Sequence, residues 1–132
     1  VRQTLKIISN ILPGLKLYSI PSKTKVFDWE VPKEWLVKKA FIVTPKGEKI
    51  CDYSENNLHL VGYSAPFKGE INLEELRKHL YTLPDQPNAI PYVTSYYKER
   101  WGFCLSYQQY NSLENGTYKR LSESVSSTIE AS

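Results

Sequence analysis

Histidine and cysteine are scarce in this chain of 132 residues, which contains two of each. Neither an HExxH nor a CxxC motif occurs, and the two histidines, His59 and His79, are not paired at helical spacing. The sequence lacks a recognisable metal-ligand set, so we expect no metal site and no cofactor within this chain. His59 lies between two leucines in a strand-like run, and we predict that it points away from them and lines a surface or a site.

The two cysteines are too few for the disulfide frameworks of small secreted proteins. Cys51 follows an apolar run and Cys104 lies between Phe103 and Leu105, which favours two buried free thiols over a disulfide. Free thiols are typical of a reducing compartment, and we therefore predict a cytoplasmic location. Catalysis by a pair of Cys104 and a histidine is compatible with the spacing, but the apolar neighbours favour an inert thiol.

Long hydrophobic runs and strong charge are also absent. No stretch approaches the roughly 18 consecutive apolar residues of a membrane span, and polar residues interrupt residues 1–8, unlike a signal peptide. The net charge is +3, from 17 basic and 14 acidic residues, which is too weak for a typical nucleic-acid-binding surface. We therefore expect neither a membrane nor a nucleic acid as a partner.

Short alternating apolar segments make up most of the sequence and predict β-strands. These strands are expected at residues 15–20, 25–31, 35–44, 49–51, 58–63 and 92–96. Helices are predicted at residues 4–12, from Asn72 as N-cap to about Leu80, and at residues 105–113. The predicted fold class is α+β: a mostly β domain, built as a mixed sheet or an open barrel, with a short N-terminal helix and one or two further short helices.

Residues 96–105 have the most unusual composition: four aromatic residues, three consecutive charges, a glycine and a cysteine. Unpaired buried charge is costly and aromatic rings carry a large apolar area, so this mixture indicates a surface that docks something. In one interpretation it forms a cleft wall, where Arg100 contacts an anion and Tyr96, Tyr97 and Trp101 provide flat faces. In the other it is a contact between domains, where the charges form surface ion pairs. The composition does not choose between them.

Four segments carry a more specific signal, and they occur in the order KVFDWEVP (25–32), NLHLVGYS (57–64), LPDQP (83–87) and IPYVTSYYKERWGFCL (90–105). Together they resemble the N-terminal part of the aminopeptidase-like zinc-exopeptidase family encoded in bacterial polysaccharide-biosynthesis loci. The resemblance covers residues 1–118.

This resemblance implies a longer protein with an α/β peptidase core, a β-rich domain inserted near its start and a C-terminal winged-helix module. On that pattern, residues 1–21 are the first helix and strand of the core and residues 22–121 are the β-rich accessory domain. Residues 122–132 depart from the family pattern, and because they are rich in serine and poor in large apolar residues we expect them to be a frayed tail. The zinc ligands of the family lie further on, near a His-Cys-His-Pro-type and an Asn-Asp motif, and neither motif is in this chain. Zinc is therefore expected for the full-length protein only.

The resemblance implies that the chain is an accessory part, a lid or a substrate-selecting element, of an aminopeptidase-like zinc metallohydrolase whose catalytic half it lacks. Alone it is expected to be inactive. Its partner would be the rest of a peptidase core or another protein, with a peptide-like substrate, and Tyr96, Tyr97, Arg100 and Trp101 would contact substrate or the core. The alternative is a stand-alone ligand- or protein-binding domain without catalysis. An exposed apolar patch near Ile7, Ile8, Ile11 and Trp101 would favour the first interpretation, and a closed, polar surface with an enclosed pocket the second.

Overall fold

The computed structural model describes residues 1–95 and 98–129, and the chain divides into two compact units. The terminal unit comprises Val1–Glu34 and the chain from Ser127 onward, and the central unit comprises Trp35–Ser126. The helices are α1 (Arg2–Ile11), α2 (Leu73–Arg77) and α3 (Tyr107–Asn111), with a 3-10 turn at Asn57–His59. The strands are β1 (Lys25–Val26), β2 (Trp29–Glu30), β3 (Glu34–Val43), β4 (Lys49–Ile50), β5 (Phe67–Asn72), β6 (Leu80–Tyr81), β7 (Phe103–Cys104) and β8 (Thr117–Ser127).

The main sheet has four strands in the order β4, β3, β8, β5, and the pairs β1–β2 and β6–β7 form two smaller sheets. β3 is antiparallel to β4 and β5 is antiparallel to β8, whereas β6 and β7 are parallel. No sheet in the described part of the chain closes into a barrel. The predicted α+β class, mostly β with short helices, is confirmed.

Helix α1 begins the terminal unit and ends before Pro13, as the apolar spacing and the Pro-Gly pair predict. The strand predicted at residues 15–20 was wrong, because this segment has no strand assignment in the structure. Alternation of apolar residues describes one face of a strand, but a strand also requires a neighbour for its backbone hydrogen bonds. Residues 15–20 pair with no strand in the described residues.

A hairpin and a buried serine organise the rest of the terminal unit. In the β1–β2 hairpin Val26 lies opposite Trp29, so residues 27 and 28 form the turn. The hydroxyl of Ser22 donates to the Pro32 carbonyl at 3.1 Å and accepts the Ile129 N–H at 2.9 Å. Because Ser22 is buried, these bonds are shielded from water and hold three separate stretches of the chain together.

Strand β8 extends through a segment predicted as a frayed tail, and that prediction was wrong for residues 122–127. Ser122 is buried opposite Phe67 of β5, and the hydroxyl of Ser124 donates to the Ser64 carbonyl at 3.4 Å. Small side chains at these positions allow the strand to lie close to the chain around Ser64, so the serine-rich composition reflects packing. Residues 130–132 lie outside the described part of the chain.

The hydrophobic core lies in the central unit. Its largest fully buried apolar side chains are Ile42, Val61, Leu76, Phe103, Leu105 and Tyr118. Helix α2 packs Leu73 and Leu76 into this core, and the Asn72 side chain accepts the Glu75 N–H at 2.9 Å, which confirms the predicted N-cap. The helix is shorter than predicted, because Leu80 belongs to β6.

The strand predicted at residues 58–63 was also wrong. The Asn56 side chain accepts the Leu58 N–H at 3.0 Å and caps a 3-10 turn, a local bond that competes with strand pairing. After this turn only isolated bridges remain, one joining Leu60 to Phe103 and one joining Gly62 to Thr94. The strand predicted at residues 92–96 is likewise reduced to the bridge at Thr94 over its described residues.

Candidate functional site

The second half of the run 96–105 is part of the core. Residues 102–105 are all buried, and Phe103–Cys104 form β7 beside β6. Phe103 N–H donates to the His79 carbonyl at 2.9 Å, and Val61 N–H donates to the Gly102 carbonyl at 3.1 Å. This part of the run therefore holds the central unit together. Tyr96 and Tyr97, predicted as contact residues, lie outside the described residues.

Trp101 is partly buried within the central unit. Its ring stacks on the His79 imidazole with centroids 3.8 Å apart and packs against Phe67 at 4.6 Å. The Arg120 guanidinium lies 4.0 Å from the Trp101 centroid, a cation–π contact. Two nitrogens of Arg120, Nε and Nη1, are buried and have no hydrogen-bond partner among the described residues, and burial lowers the pKa of Arg120. The faces of Trp101 thus contact the protein itself.

Arg100 contacts a different set of residues. Its Nη2 donates to the Thr94 carbonyl at 2.7 Å, and its guanidinium lies 5.7 Å from the centroid of the Tyr81 ring. No ion pair of Lys98, Glu99 or Arg100 occurs within the described residues. Arg100 therefore anchors a backbone carbonyl of the preceding loop, and the predicted contact of Arg100 and Trp101 with substrate or core stays a prediction.

Both histidines bond to backbone carbonyls of this run. His59 Nδ1 lies 2.8 Å from the Cys104 carbonyl oxygen, and His79 Nδ1 lies 3.1 Å from the Trp101 carbonyl oxygen. A carbonyl only accepts, so Nδ1 carries the proton in each ring. The histidines therefore position the backbone of the run, and the predicted lining role of His59 stays a prediction.

The two thiols are free and buried. Burial raises the pKa of the Cys51 thiol to about 12 and that of the Cys104 thiol to about 11, so both are protonated at neutral pH. His59 is hydrogen-bonded to Cys104, but its Nδ1 contacts the backbone carbonyl oxygen of Cys104 and not the sulfur. This arrangement does not support the interpretation of Cys104 as a nucleophile.

The described residues contain neither a group of metal ligands nor a membrane-spanning helix. Within residues 1–95 and 98–129, no three His, Cys, Asp or Glu side chains come together in a way that could hold a metal ion. These residues therefore do not fit the zinc that the resemblance implies for a full-length protein. None of the described helices has the length and hydrophobicity needed to span a bilayer.

An aromatic pocket of about 250 Å³ lies in the central unit, away from the contacts of Trp101. It is lined by Trp35, Tyr53, Asn57, Leu58, Leu60, Gly62, Tyr63, Tyr92, Val93 and Thr94. Trp35 and Tyr63 stack with centroids 5.4 Å apart and planes at 19°. This pocket was not predicted from the sequence, because its aromatic residues are far apart in the chain. The only signal was the abundance of aromatic residues, with ten tyrosines and three tryptophans.

Comparison with known proteins identifies longer relatives. A Clostridium acetobutylicum protein, named as a polysaccharide biosynthesis protein with an aminopeptidase-like domain, is 46% identical over 119 residues, which are 90% of this chain and 27% of that protein. A crystal structure of a Clostridium acetobutylicum protein described as a peptidase matches 98% of this chain at 42% identity with a TM-score of 0.87, and the match covers 31% of that protein. The chain thus spans less than a third of the length of either relative.

These relatives confirm the resemblance to aminopeptidase-like proteins of polysaccharide biosynthesis. The match to a family model is confined to the central unit and its immediate flanks. Residues 34–124 match the family described as a domain of unknown function, DUF2172, and the chain belongs to this family.

Proposed function

We propose that this chain is an accessory part, a lid or a substrate-selecting element, of an aminopeptidase-like hydrolase whose catalytic half lies outside residues 1–132. The names of the two longer relatives support a peptidase-like parent protein, because the chain corresponds to less than a third of each. The partner in this proposal is the rest of the peptidase core, and the substrate is peptide-like. Two buried free thiols fit a reducing compartment, so we place the protein in the cytoplasm.

The exposed face of α1 is the observation that carries this proposal. The helix has no buried residue, and Ile7 and Ile11 are 61% and 71% exposed. An isolated helix of 10 residues is marginal in water, and most helical stability comes from packing an apolar face. Leu5, Ile8 and Leu12 are exposed on the same helix and its C-cap. A continuous apolar face of this kind is typical of a surface that another protein segment covers.

In the proposed parent protein, zinc would supply water activation for amide hydrolysis. The zinc ligands would come from the catalytic half, since the described residues hold no metal-ligand set. This chain would contribute the exclusion of bulk water and the selection of the substrate terminus. Tyr97, Arg100 and Trp101 are the proposed edge of that contact.

One experiment compares Ile11→Asp with Asn10→Asp in the isolated chain and in the full-length protein. Both variants add one negative charge to α1, but Ile11 belongs to the apolar face. We expect Ile11→Asp to lower the Tm and the peptidase activity of the full-length protein and to leave the Tm of the isolated chain unchanged, because only the longer protein covers this face. Asn10→Asp should change neither. An equal effect of both variants, or a reading frame that stops at Ser132, would refute the proposal.

A second experiment tests the proposed contact edge. In the full-length protein, Arg100→Ala and Tyr97→Ala should weaken substrate binding or turnover, whereas Lys98→Ala at an exposed neighbouring position should not. Unchanged binding and turnover in the first two variants would show that this run has no part in substrate selection. Zinc titration and an aminopeptidase assay on the isolated chain should show neither binding nor cleavage.

The aromatic pocket favours a second candidate function, that of a ligand-binding domain without catalysis of its own. A concave, largely aromatic site with a few polar groups is typical of small-molecule recognition. The two functions are compatible, because an accessory domain can also bind a ligand.

A further inference from the structure

One residue of the aromatic pocket has an unusual backbone conformation. Tyr63 has a φ of 61°, in the left-handed region that bulky residues seldom adopt. Its ring stacks on Trp35, and both residues line the pocket. Strained residues of this kind are concentrated at binding and active sites, where the surrounding structure holds them in place.

Hydrogen bonds between Gly62 and residues 93–95 hold the lining next to Tyr63 in place. Gly62 N–H donates to the Val93 carbonyl at 2.8 Å, and Ser95 N–H donates to the Gly62 carbonyl at 2.9 Å. A Cβ at Gly62 would lie 3.1 Å from Thr94 Oγ1, so the two chain segments touch through the glycine. Tyr92 precedes Val93, the residue that accepts the Gly62 hydrogen bond, and its side chain is 69% exposed at the edge of the pocket. The pocket is therefore preformed, with an accessible aromatic ring at its rim.

The lining restricts the chemistry of a ligand. None of the ten lining residues carries a formal charge, which leaves phosphates and carboxylates without a counter-charge. Trp35, Tyr53, Tyr63 and Tyr92 provide aromatic surface, whereas the tyrosine hydroxyls, Asn57 and Thr94 provide hydrogen-bonding groups. The lining suits a neutral ligand with an apolar face and a hydroxyl-bearing edge.

We propose that this pocket binds one neutral pyranose ring of a carbohydrate. The C–H face of a pyranose is electropositive and packs on the electron-rich face of an aromatic ring, while its hydroxyls pair with tyrosine, asparagine and threonine groups. The volume of about 250 Å³ lies just below the range for drug-sized ligands, which begins at roughly 300 Å³. It therefore fits a single ring. This inference does not rest on the proposed peptidase role.

The test titrates the chain with neutral methyl pyranosides and follows backbone amide shifts and tryptophan fluorescence. We expect shifts at the pocket residues and dissociation constants on the order of 1–10 mM, since one ring buries little surface. Tyr92→Ala should weaken binding at least about fivefold, and Asn57→Ala about two- to tenfold. The matched control is Tyr18→Ala, which removes an 83% exposed tyrosine of the terminal unit and should change binding less than about twofold.

Two further ligands test whether the pocket prefers an anionic sugar or an apolar peptide side chain to a neutral pyranose. The methyl glycoside of glucuronic acid, an anionic pyranoside with a free carboxylate, should bind more weakly than the neutral ring, and N-acetyl-phenylalaninamide tests an apolar peptide side chain. The proposal is overturned if no neutral pyranoside shifts the pocket residues, if their binding is the same in Tyr92→Ala, or if only the peptide compound binds. Because Tyr92 is largely exposed, its substitution leaves the fold intact, and loss of binding reports on the pocket itself.

Discussion

Gly102 provides a sharp test of how the central unit is packed, because three groups converge on it. A Cβ atom there would lie 2.8 Å from Tyr81 Cε2, 2.9 Å from the His79 carbonyl oxygen and 3.1 Å from Val61 Cγ2. The first two distances are shorter than real carbon contacts, so Gly102→Ala forces a neighbour to move. The His79 oxygen is held by the Phe103 N–H at 2.9 Å, and Val61 is fully buried, so neither moves easily.

We expect Gly102→Ala to lower the free energy of unfolding by about 1–3 kcal/mol, the usual cost of overpacking a core. In a unit of this size each kcal/mol lowers the Tm by roughly 4–8 °C. Urea unfolding and thermal unfolding, both followed by circular dichroism, measure these changes. The control is Gly14→Ala, since apart from residues 13–15 no described residue has an atom within 4 Å of a Cβ placed there, and it should change stability by less than about 1 kcal/mol. A loss below about 0.5 kcal/mol for Gly102→Ala would refute the packing argument.

Trp101→Ala should lower the free energy of unfolding by about 3 kcal/mol, because the ring packs against His79 and Arg120. If urea unfolding shows that Trp101→Ala lowers the free energy of unfolding by less than about 1 kcal/mol, the ring lies on the surface without these packing contacts. The free energy of unfolding should fall as pH rises above about 9. In this range the Cys51 thiol ionises in the unfolded chain, whereas burial keeps it protonated in the folded chain up to about pH 12. Replacing Cys51 with alanine should flatten this fall, and an unchanged slope would contradict the assignment. At pH 8, Cys51 and Cys104 should react with Ellman's reagent far more slowly in the folded chain than in urea, and equal rates would mean exposed thiols.

Local features of this protein follow from its sequence, because they depend on residues a few positions apart. The helix before Pro13 and the N-cap at Asn72 are of this kind, and the structure confirms both. The burial of both cysteines was predictable from their apolar neighbours. The resemblance to aminopeptidase-like proteins also came from ordered local segments, and the relatives confirm it.

Strand pairing and the formation of cavities depend on residues that are distant in the sequence. The predictions about strand pairing were partly wrong, and no cavity was predicted. Residues 15–20 alternate like a strand but pair with no strand within the described residues, and Asn56 directs residues 57–59 into a 3-10 turn. The serine-rich segment 122–127 looked frayed, yet it completes the sheet because small side chains fit beside Ser64.

The run 96–105 shows the same division between local and tertiary information. Its composition indicated a docking surface, but tertiary packing places its second half in the core and directs Trp101 onto Arg120 and His79. The aromatic pocket arises from Trp35, Tyr63 and other residues that no local pattern connects. Chain propensities act over a few residues, whereas burial, pairing and concavity are properties of the folded chain, and only the tertiary structure decides them.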